Sequence, residues 1–182
     1  EGGEPCQLDI IACRNYKHST RYKLPIAPSP NLPNMQAIYL YPSICLFEGT
    51  DVSLGRGTGL PFQQYGHPQM TGYKYSFIPR SVPGAKNPPQ LNQLCFGVNL
   101  SHKPQGEIIK RGFDLTYVID AYRNLKVGER FFTPFFTKLV GVDYVQKMII
   151  EGRSNEEIRA VWQPELEKYK EMRRKYLIYK EK

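Results

Sequence analysis

The sequence lacks any apolar run of the length that crosses a bilayer, which is about 20 residues for a helix. It also has little cysteine, with four such residues in 182. These are Cys6, Cys13, Cys45 and Cys95. They are too far apart for the CxxC spacing of a metal site, and no two histidines stand at ligand intervals. We therefore expect no transmembrane segment and no metal. The cysteine thiols are expected to be buried, and the sequence leaves open a disulfide between two of the four cysteines.

Acidic residues are fewer than basic ones, 17 against 25, which gives a net charge of +8. The basic residues are scattered, and the C-terminal tail mixes lysine and arginine with glutamate. The excess therefore fits an anionic ligand as well as it fits solubility alone. No DNA- or RNA-binding signature is present, so we expect no nucleic acid partner. One alternative is general polyanion binding through Arg14, Lys17, Arg21 and Lys23. This alternative predicts an affinity that collapses with added salt.

The first residues have neither the charged n-region nor the apolar h-region of a signal peptide. A chain of 182 residues is long enough for one domain with its own core. Residues 6–13 (CQLDIIAC) predict a strand, yet no helix or strand is predicted before them. We therefore expect the chain to begin within a fold, with part of its partner surface on an upstream segment.

A proline-rich segment, LPIAPSPNLPN, follows at residues 24–34. Its four prolines are incompatible with a helix interior or a central strand, so the backbone is expected to be extended and stiff, like a strap across a surface. Such a strap can present Ser29 and Asn31 to a ligand. Alternatively, these two side chains cap the helix that follows.

The most unusual segment is residues 46–61, LFEGTDVSLGRGTGLP. Its glycines, which allow positive φ and close backbone approach, are Gly49, Gly55, Gly57 and Gly59. An apolar helix is predicted to deliver Glu48 at its end, and Arg56 follows inside the loop. One interpretation is a loop that binds a ligand through its N–H groups and Arg56. The other is a structural turn in which Glu48 and Arg56 pair with each other.

Three short segments predict strands of an antiparallel sheet, at residues 61–65, 73–78 and 94–100. His67 and His102 fall near loop ends. We interpret each as a surface or hydrogen-bonded histidine in preference to a catalytic base.

From Asp114 onward the apolar residues recur at helical spacing. The predicted helices begin at Asp114, Pro134, Asp143 and Ser154, and the first three end at Gly128, Gly141 and Gly152. Ser154 and Glu157 form a capping box, and Pro164 is expected to restart the last helix. The predicted fold is α+β, a small antiparallel or mixed sheet with several C-terminal helices packed on it.

These motifs together resemble a known family. They are PSPN at residues 28–31, YP at 41–42, FEGT at 47–50, SxGRGT at 53–58, PF at 61–62, CxGV at 95–98, FF at 135–136 before LxG at 139–141, and the closing elements Glu157, Ile158, Trp162, Leu166 and YLIY at 176–179. Their order and spacing resemble the C-terminal half of the NamZ/YbbC-like exo-β-N-acetylmuramidases, nearly from end to end of the chain.

The resemblance implies a full enzyme with an N-terminal Rossmann-like half, a smaller α+β half and an active site in the cleft between them. Such enzymes remove terminal β-N-acetylmuramic acid from peptidoglycan fragments without a cofactor or metal, which implies export to the periplasm or cell surface. Residues 1–24 would be the end of the linker or last strand from an absent N-terminal domain, and residues 25–182 the C-terminal domain. The expected partners are that N-terminal half and a muropeptide or other glycan containing N-acetylmuramic acid.

Glycoside hydrolysis normally requires two carboxyl groups at a fixed separation across the sugar. Glu48 alone lies in a convincing loop here, whereas Asp51, Asp9, Glu107 and Asp114 are interpreted as turn, loop or cap residues. The resemblance places the catalytic glutamates in the absent half. We therefore expect no catalytic residue in this chain, with Glu48 the nearest to such a role.

The expected role of the chain is substrate binding. A guanidinium can meet a carboxylate with two parallel N–H bonds, so Arg56 is expected to contact the lactyl carboxylate of muramic acid. The candidate substrate-binding residues are Glu48, Arg56, Asn31, Ser29, Gly55, Gly57 and Thr58. The alternative is a non-catalytic module that binds cell-wall glycan or a protein through the loop and exposed tyrosines, taken to be Tyr16, Tyr22, Tyr65 and Tyr73.

Overall fold

The computed structural model describes residues 6–179. The chain divides into two compact units. The larger is Leu24–Val161, and the smaller combines the residues up to Lys23 with those from Trp162 onward. Within residues 6–179, no helix combines the length and the apolar character that a membrane span requires.

Six α-helices and three β-strands make up the regular structure of the described residues. The strands are β1 (Gln64–His67), β2 (Tyr75–Phe77) and β3 (Cys95–Asn99). The helices are α1 (Met35–Ile44), α2 (Gln105–Arg111), α3 (Thr116–Leu125), α4 (Phe135–Val140), α5 (Tyr144–Ile150) and α6 (Asn155–Arg173). Single turns of 3₁₀ helix lie at Cys45–Gly49, Gly128–Phe131 and Arg174–Tyr176. The predicted α+β class is confirmed.

The sheet is antiparallel with strand order β1-β3-β2, as predicted. Gly97 in the central strand β3 lies opposite Gly66 of β1 and Tyr75 of β2, and a Cβ on Gly97 would overlap the carbonyl oxygen of Tyr65. The prediction of a strand at residues 61–65 started too early. Phe62 has a φ of 57° and its N–H donates to Leu54 O, so these residues turn before the strand begins.

The core fixes the end of α1 against the C-terminal helices. Phe47, Phe131 and Phe136 are completely buried, and the Cys45–Gly49 turn packs on α4. A Cβ on Gly49 would overlap the backbone of Phe136, so the contact requires glycine. Glu48 sits inside this turn, and its backbone position is therefore set by the core.

Helix boundaries follow the local signals in part. The Ser154–Glu157 capping box is present, with Ser154 N donating to Glu157 Oε2 (2.7 Å) and Glu157 N to Ser154 Oγ (3.1 Å). The predicted end of α3 at Gly128 is wrong, because Lys126 adopts the left-handed conformation (φ 54°) directly after Leu125. The prediction that Pro164 restarts the last helix is also wrong. A proline removes one backbone hydrogen bond, and α6 continues through it to Arg173.

Two predictions for the N-terminal residues are wrong. Residues 6–13 form no strand, and Ile11 is 96% exposed, because a strand needs a neighbour for its backbone hydrogen bonds. Instead, Cys13 N donates to the hydroxyl of Tyr179 (2.7 Å). Cys6 and Cys13 are exposed and not buried as expected, and both are free thiols, as are Cys45 and Cys95.

A carboxylate on α3 connects the helices to the sheet region. Asp120 Oδ2 accepts hydrogen bonds from the hydroxyls of Tyr65 (2.7 Å) and Tyr73 (2.6 Å). Burial, together with the Asp120 charge, raises the pKa of both tyrosine hydroxyls, so they remain donors over the usual pH range. The Tyr65 ring also stacks on Phe47, with 4.8 Å between centroids. This carboxylate therefore stabilises the element next to Glu48 through Tyr65.

Replacing Asp120 by alanine should lower the free energy of unfolding by about 2–4 kcal/mol, because the buried Tyr65 hydroxyl and the half-buried Tyr73 hydroxyl lose a charged acceptor. The measurement is urea denaturation. The matched control is Asp143→Ala, which removes an exposed ion pair with Lys147 (2.9 Å) and should cost far less stability, because solvent screens such a pair. Equal losses in the two variants would contradict the assignment.

Candidate functional site

The structure brings Glu48 and Arg56 together. Arg56 Nη1 donates to Glu48 Oε1 at 3.2 Å, and the two side chains are 36% and 28% exposed, respectively. Within the described part of the chain, Arg56 Nε is covered and has no hydrogen-bond partner. The Glu48–Arg56 pairing expected for a structural turn is thus present. The Arg56 side chain is nevertheless partly exposed, and among the described residues not all of its N–H groups have a protein partner.

The glycines on either side of Arg56 approach the protein's own backbone. Gly55 and Gly57 have φ values of 84° and 80°, a conformation that favours glycine. A Cβ on Gly57 would overlap the carbonyl oxygen of Arg80, and Gly57 O accepts a hydrogen bond from Arg80 N (2.8 Å). A Cβ on Gly55 would lie 2.5 Å from Leu60 O. These glycines close the loop tightly, and contact of their N–H groups with a ligand stays a prediction.

The inside of the loop is held by a polar network. Thr58 Oγ1 donates to Gly55 O (2.6 Å) and accepts from Gln64 Nε2 (2.7 Å). Gln64 Oε1 in turn accepts from the hydroxyl of Tyr75. Gln64 is almost completely buried, so the network fixes the loop to β1 and β2. Arg56 is consequently presented from a loop of defined conformation.

Ser29 and Asn31 lie in the strap, and their side chains bond within the strap and to Gly84. Ser29 Oγ accepts from Asn31 N (3.2 Å), and Asn31 Nδ2 donates to Gly84 O (2.9 Å). The alternative that they cap the next helix is wrong. Asn34 is the N-cap of α1, where its side chain accepts from Ala37 N at 2.9 Å, because it directly precedes the first helical residue. Within residues 6–179, the hydrogen bonds of Ser29 and Asn31 do not reach Glu48 or Arg56.

Sequence reasoning did not identify Tyr41 as a site residue, although it lies beside the pair. Its side chain is 40% exposed, and its ring packs on Phe62 with 5.1 Å between centroids. Burial, the neighbouring Cys45 and the charge of Glu48 all raise the pKa of the Tyr41 hydroxyl. Burial and Glu48 also raise the pKa of the Cys45 thiol to about 11, so it is protonated at neutral pH and is not a nucleophile. The signal available was the i, i+4, i+7 spacing of residues 41, 45 and 48, which places them on one helical face over about two turns.

The tyrosines of the alternative interpretation are not equally accessible. Tyr16 and Tyr22 are exposed as expected, by 42% and 64%. Tyr65 was expected to be exposed, but it is 2% exposed, because β1 is buried along its whole length and its ring packs on Phe47. Tyr73 is half-buried and donates to Asp120. Only the first two of these side chains offer a free aromatic surface.

His67 is hydrogen-bonded, as predicted. Its Nδ1 accepts from Gln69 N (3.1 Å), which leaves Nε2 to face Asp51 Oδ2 at 3.3 Å. The ring is 7% exposed and borders a cavity of about 270 Å³ that Arg130 also lines. With both nitrogens engaged, His67 has no free lone pair for a proton transfer. His102 is exposed.

Asp114 serves the turn before α3. Burial raises the pKa of its carboxyl group, but hydrogen bonds from Thr116 and Arg111 outweigh this effect and lower it. The Arg111 Nη1 to Asp114 Oδ2 distance is 2.8 Å. Asp114 lines a cavity of about 400 Å³, beside Asn155 and Arg159. A carboxyl group with a lowered pKa is not a general acid, in agreement with its predicted role as a cap or turn residue.

The described residues contain no group of three or more His, Cys, Asp or Glu side chains that could hold a metal ion. Among the carboxylates considered, Glu48 faces Arg56, Asp51 faces His67, and Asp114 faces Thr116 and Arg111. The Glu48–Arg56 pair, with Tyr41 near Glu48, offers a carboxylate, a guanidinium and an aromatic ring that are all partly exposed.

Known proteins resemble this chain over nearly its whole length. Residues 39–179 match the family described as "Exo-beta-N-acetylmuramidase NamZ, C-terminal". The peptidoglycan beta-N-acetylmuramidase NamZ of Bacillus subtilis (strain 168) is 30% identical over 190 residues, covering 94% of this chain and 45% of that protein. The crystal structure of a DUF1343 family protein from Bacteroides fragilis NCTC 9343 is 64% identical, with a TM-score of 0.95, covering 97% of this chain and 50% of that one. The chain thus spans about half the length of these relatives.

Two glycines of the loop, two positions apart, should respond differently to replacement by alanine. Gly57→Ala should lower the free energy of unfolding by at least about 2 kcal/mol, because alanine is strained at this φ and its Cβ would overlap the Arg80 backbone. Gly59→Ala is the control, since a Cβ there meets nothing within 4 Å, and it should change stability by less than about 1 kcal/mol. Chemical denaturation measures both. Similar losses would contradict the close approach at Gly57.

Proposed function

Since this chain belongs to the family of NamZ C-terminal domains, we propose that it is the substrate-side domain of an exo-β-N-acetylmuramidase that releases terminal β-N-acetylmuramic acid from peptidoglycan fragments. The family resemblance predicted from the sequence motifs is confirmed. The observation that carries the proposal is the half-exposed Arg56, held on a closed loop beside Glu48.

The chemistry of the ligand fits this pair. N-acetylmuramic acid carries a lactyl ether, and therefore a carboxylate that N-acetylglucosamine lacks. Within residues 6–179, Arg56 Nε is covered and Nη1 bonds Glu48, so the N–H groups left for that carboxylate are those of the two terminal nitrogens that Glu48 does not engage. Glu48 orients the guanidinium and can accept a hydrogen bond from a sugar hydroxyl. Because the loop is closed before ligand arrives, little ordering is needed on binding.

Glu48 and Asp114, two carboxylates of the surfaces described above, are already engaged by other side chains, which supports a binding role in preference to an acid–base role. Hydrolysis of a glycosidic bond needs a group that protonates the leaving oxygen and a second carboxylate across the sugar ring. Glu48 is engaged by Arg56, and Asp114 by Thr116 and Arg111. We therefore assign the catalytic glutamates to the N-terminal half of the enzyme, with this chain binding substrate in the cleft between the halves. Peptidoglycan as substrate places the enzyme in the periplasm or at the cell surface, and neither a cofactor nor a metal enters the proposed reaction.

Activity should depend on the other half. We expect this chain alone to release no nitrophenol from para-nitrophenyl β-N-acetylmuramide. A chimera in which it replaces the matching half of the Bacteroides fragilis protein should release it, since at 64% identity we expect this chain to fit the other half of that protein. The intact Bacteroides fragilis protein and Bacillus subtilis NamZ serve as assay controls.

Two results would contradict this division of roles. Turnover by the chain alone that disappears in Glu48→Gln would place a catalytic carboxylate here. A folded but inactive chimera, beside an active Bacteroides fragilis protein, would favour the alternative of a non-catalytic module that binds glycan or protein through the exposed Tyr16 and Tyr22.

Arg56→Lys tests the carboxylate contact. A lysine keeps the charge but not the two-pronged geometry, so KM for the muramide should rise by about tenfold in the active chimera. Arg80→Lys is the matched control, because Arg80 touches the same loop through its backbone while its side chain bonds Asn92. If Arg56→Lys lowers the melting temperature but leaves KM unchanged, the arginine only braces the loop.

A further inference from the structure

Tyr41 is an aromatic side chain left open at the end of α1. Its side chain is 40% exposed, and the following Pro42 is exposed as well. One face is nevertheless supported, because the ring lies on Phe62 with 5.1 Å between centroids and 42° between planes. Phe62 itself is 4% exposed. The ring of Tyr41 therefore packs on Phe62 on one side and is exposed to solvent on the rest of its surface.

Tyr41 is connected to the Arg56 loop through Phe62. The Phe62 N–H donates to Leu54 O (2.9 Å), which closes the loop that contains Arg56. Phe62 holds a φ of 57°, which a bulky residue adopts only where its surroundings impose it. The ring of Tyr41 thus rests on the closed end of the loop.

Tyr41 is also connected to Glu48 along the chain. The Cys45 N–H donates to Tyr41 O at the end of α1, and the 3₁₀ turn carrying Glu48 follows at once. The charge of Glu48 acts on the Tyr41 hydroxyl. Tyr41 is therefore linked to the Arg56 loop through Phe62 and to Glu48 through the 3₁₀ turn, and Glu48 pairs with Arg56; we call these three residues the Tyr41 patch (Tyr41, Glu48 and Arg56).

We propose that the ring of Tyr41 is the surface on which the pyranose ring of the bound N-acetylmuramic acid residue lies, while Arg56 holds its lactyl carboxylate. This inference rests on the proposed function. Pyranose rings present a face of C–H groups that packs on aromatic side chains, and ligand sites combine such apolar surface with a few placed polar groups. The polar groups are Glu48 and Arg56. Support by Phe62 reduces the ordering needed when the sugar binds.

The test is the KM of the active chimera for para-nitrophenyl β-N-acetylmuramide. Tyr41→Leu keeps apolar volume on Phe62 but removes the flat surface, so KM should rise by about tenfold with kcat changed less than about twofold. Tyr41→Phe keeps the ring and should stay within about twofold of the parent. Tyr169→Leu, which changes a 54% exposed tyrosine of α6, is the matched control and should leave KM unaltered.

The outcomes separate this inference from the proposed function. An active chimera in which Tyr41→Leu leaves KM unchanged overturns the role of Tyr41 while the muramidase function stands. A loss of activity that follows a fall in melting temperature, and that Tyr41→Phe shares, shows a packing role only and also overturns it. If the chimera has no activity, NMR titration of this chain with N-acetylmuramic acid decides, because perturbation of the Tyr41 ring signals supports the inference and its absence overturns it.

Discussion

The close contact between Gly49 and the start of α4 is the constraint on which the position of the candidate site depends. Gly49 leaves no room for a Cβ against Phe136, and Gly49 O accepts a hydrogen bond from Thr133 N (2.9 Å). One residue on, Thr50 pairs with Phe132 in an isolated bridge. On the other side, Phe47 stacks on Tyr65 of β1. The turn that carries Glu48 is therefore fixed to the helices and to the sheet at once, and its carboxylate is delivered to one place.

In the Gly-rich loop, some residues contact the rest of the protein and one, Arg56, is presented to solvent. Gly55, Gly57 and Thr58 make contacts with the protein itself, through backbone approach and through the network with Gln64. Arg56, between them, is the residue whose side chain reaches both Glu48 and solvent. Gly55, Gly57 and Thr58 thus fix the loop conformation, while Arg56 between them is the residue proposed to bind the ligand.

The parts of the fold that could be predicted from the sequence are those encoded locally. The capping box at Ser154 depends on two residues three apart, and both of its hydrogen bonds are present. The strand expected at residues 6–13 was wrong because a strand also requires a neighbour, which local composition does not reveal. For the site, the glycine spacing indicated that the backbone approaches another group closely, but it did not show which group. For Gly57 this group is the carbonyl oxygen of Arg80. Exposure was hardest to predict: Tyr65 is buried and Tyr41 is not, since both depend on packing between distant segments.

The Glu48–Arg56 pair has a consequence for selectivity among anions. An incoming carboxylate must share the guanidinium with a carboxylate that is already there, and two like charges around one cation repel each other. Small anions such as acetate or inorganic phosphate bring charge alone, so they meet this repulsion without compensation. In the proposed binding mode, a ligand that adds a ring for Tyr41 and hydroxyl donors for Glu48 makes further contacts that offset it. The resident glutamate would thus act as a filter, rejecting simple salts from a site built around an arginine.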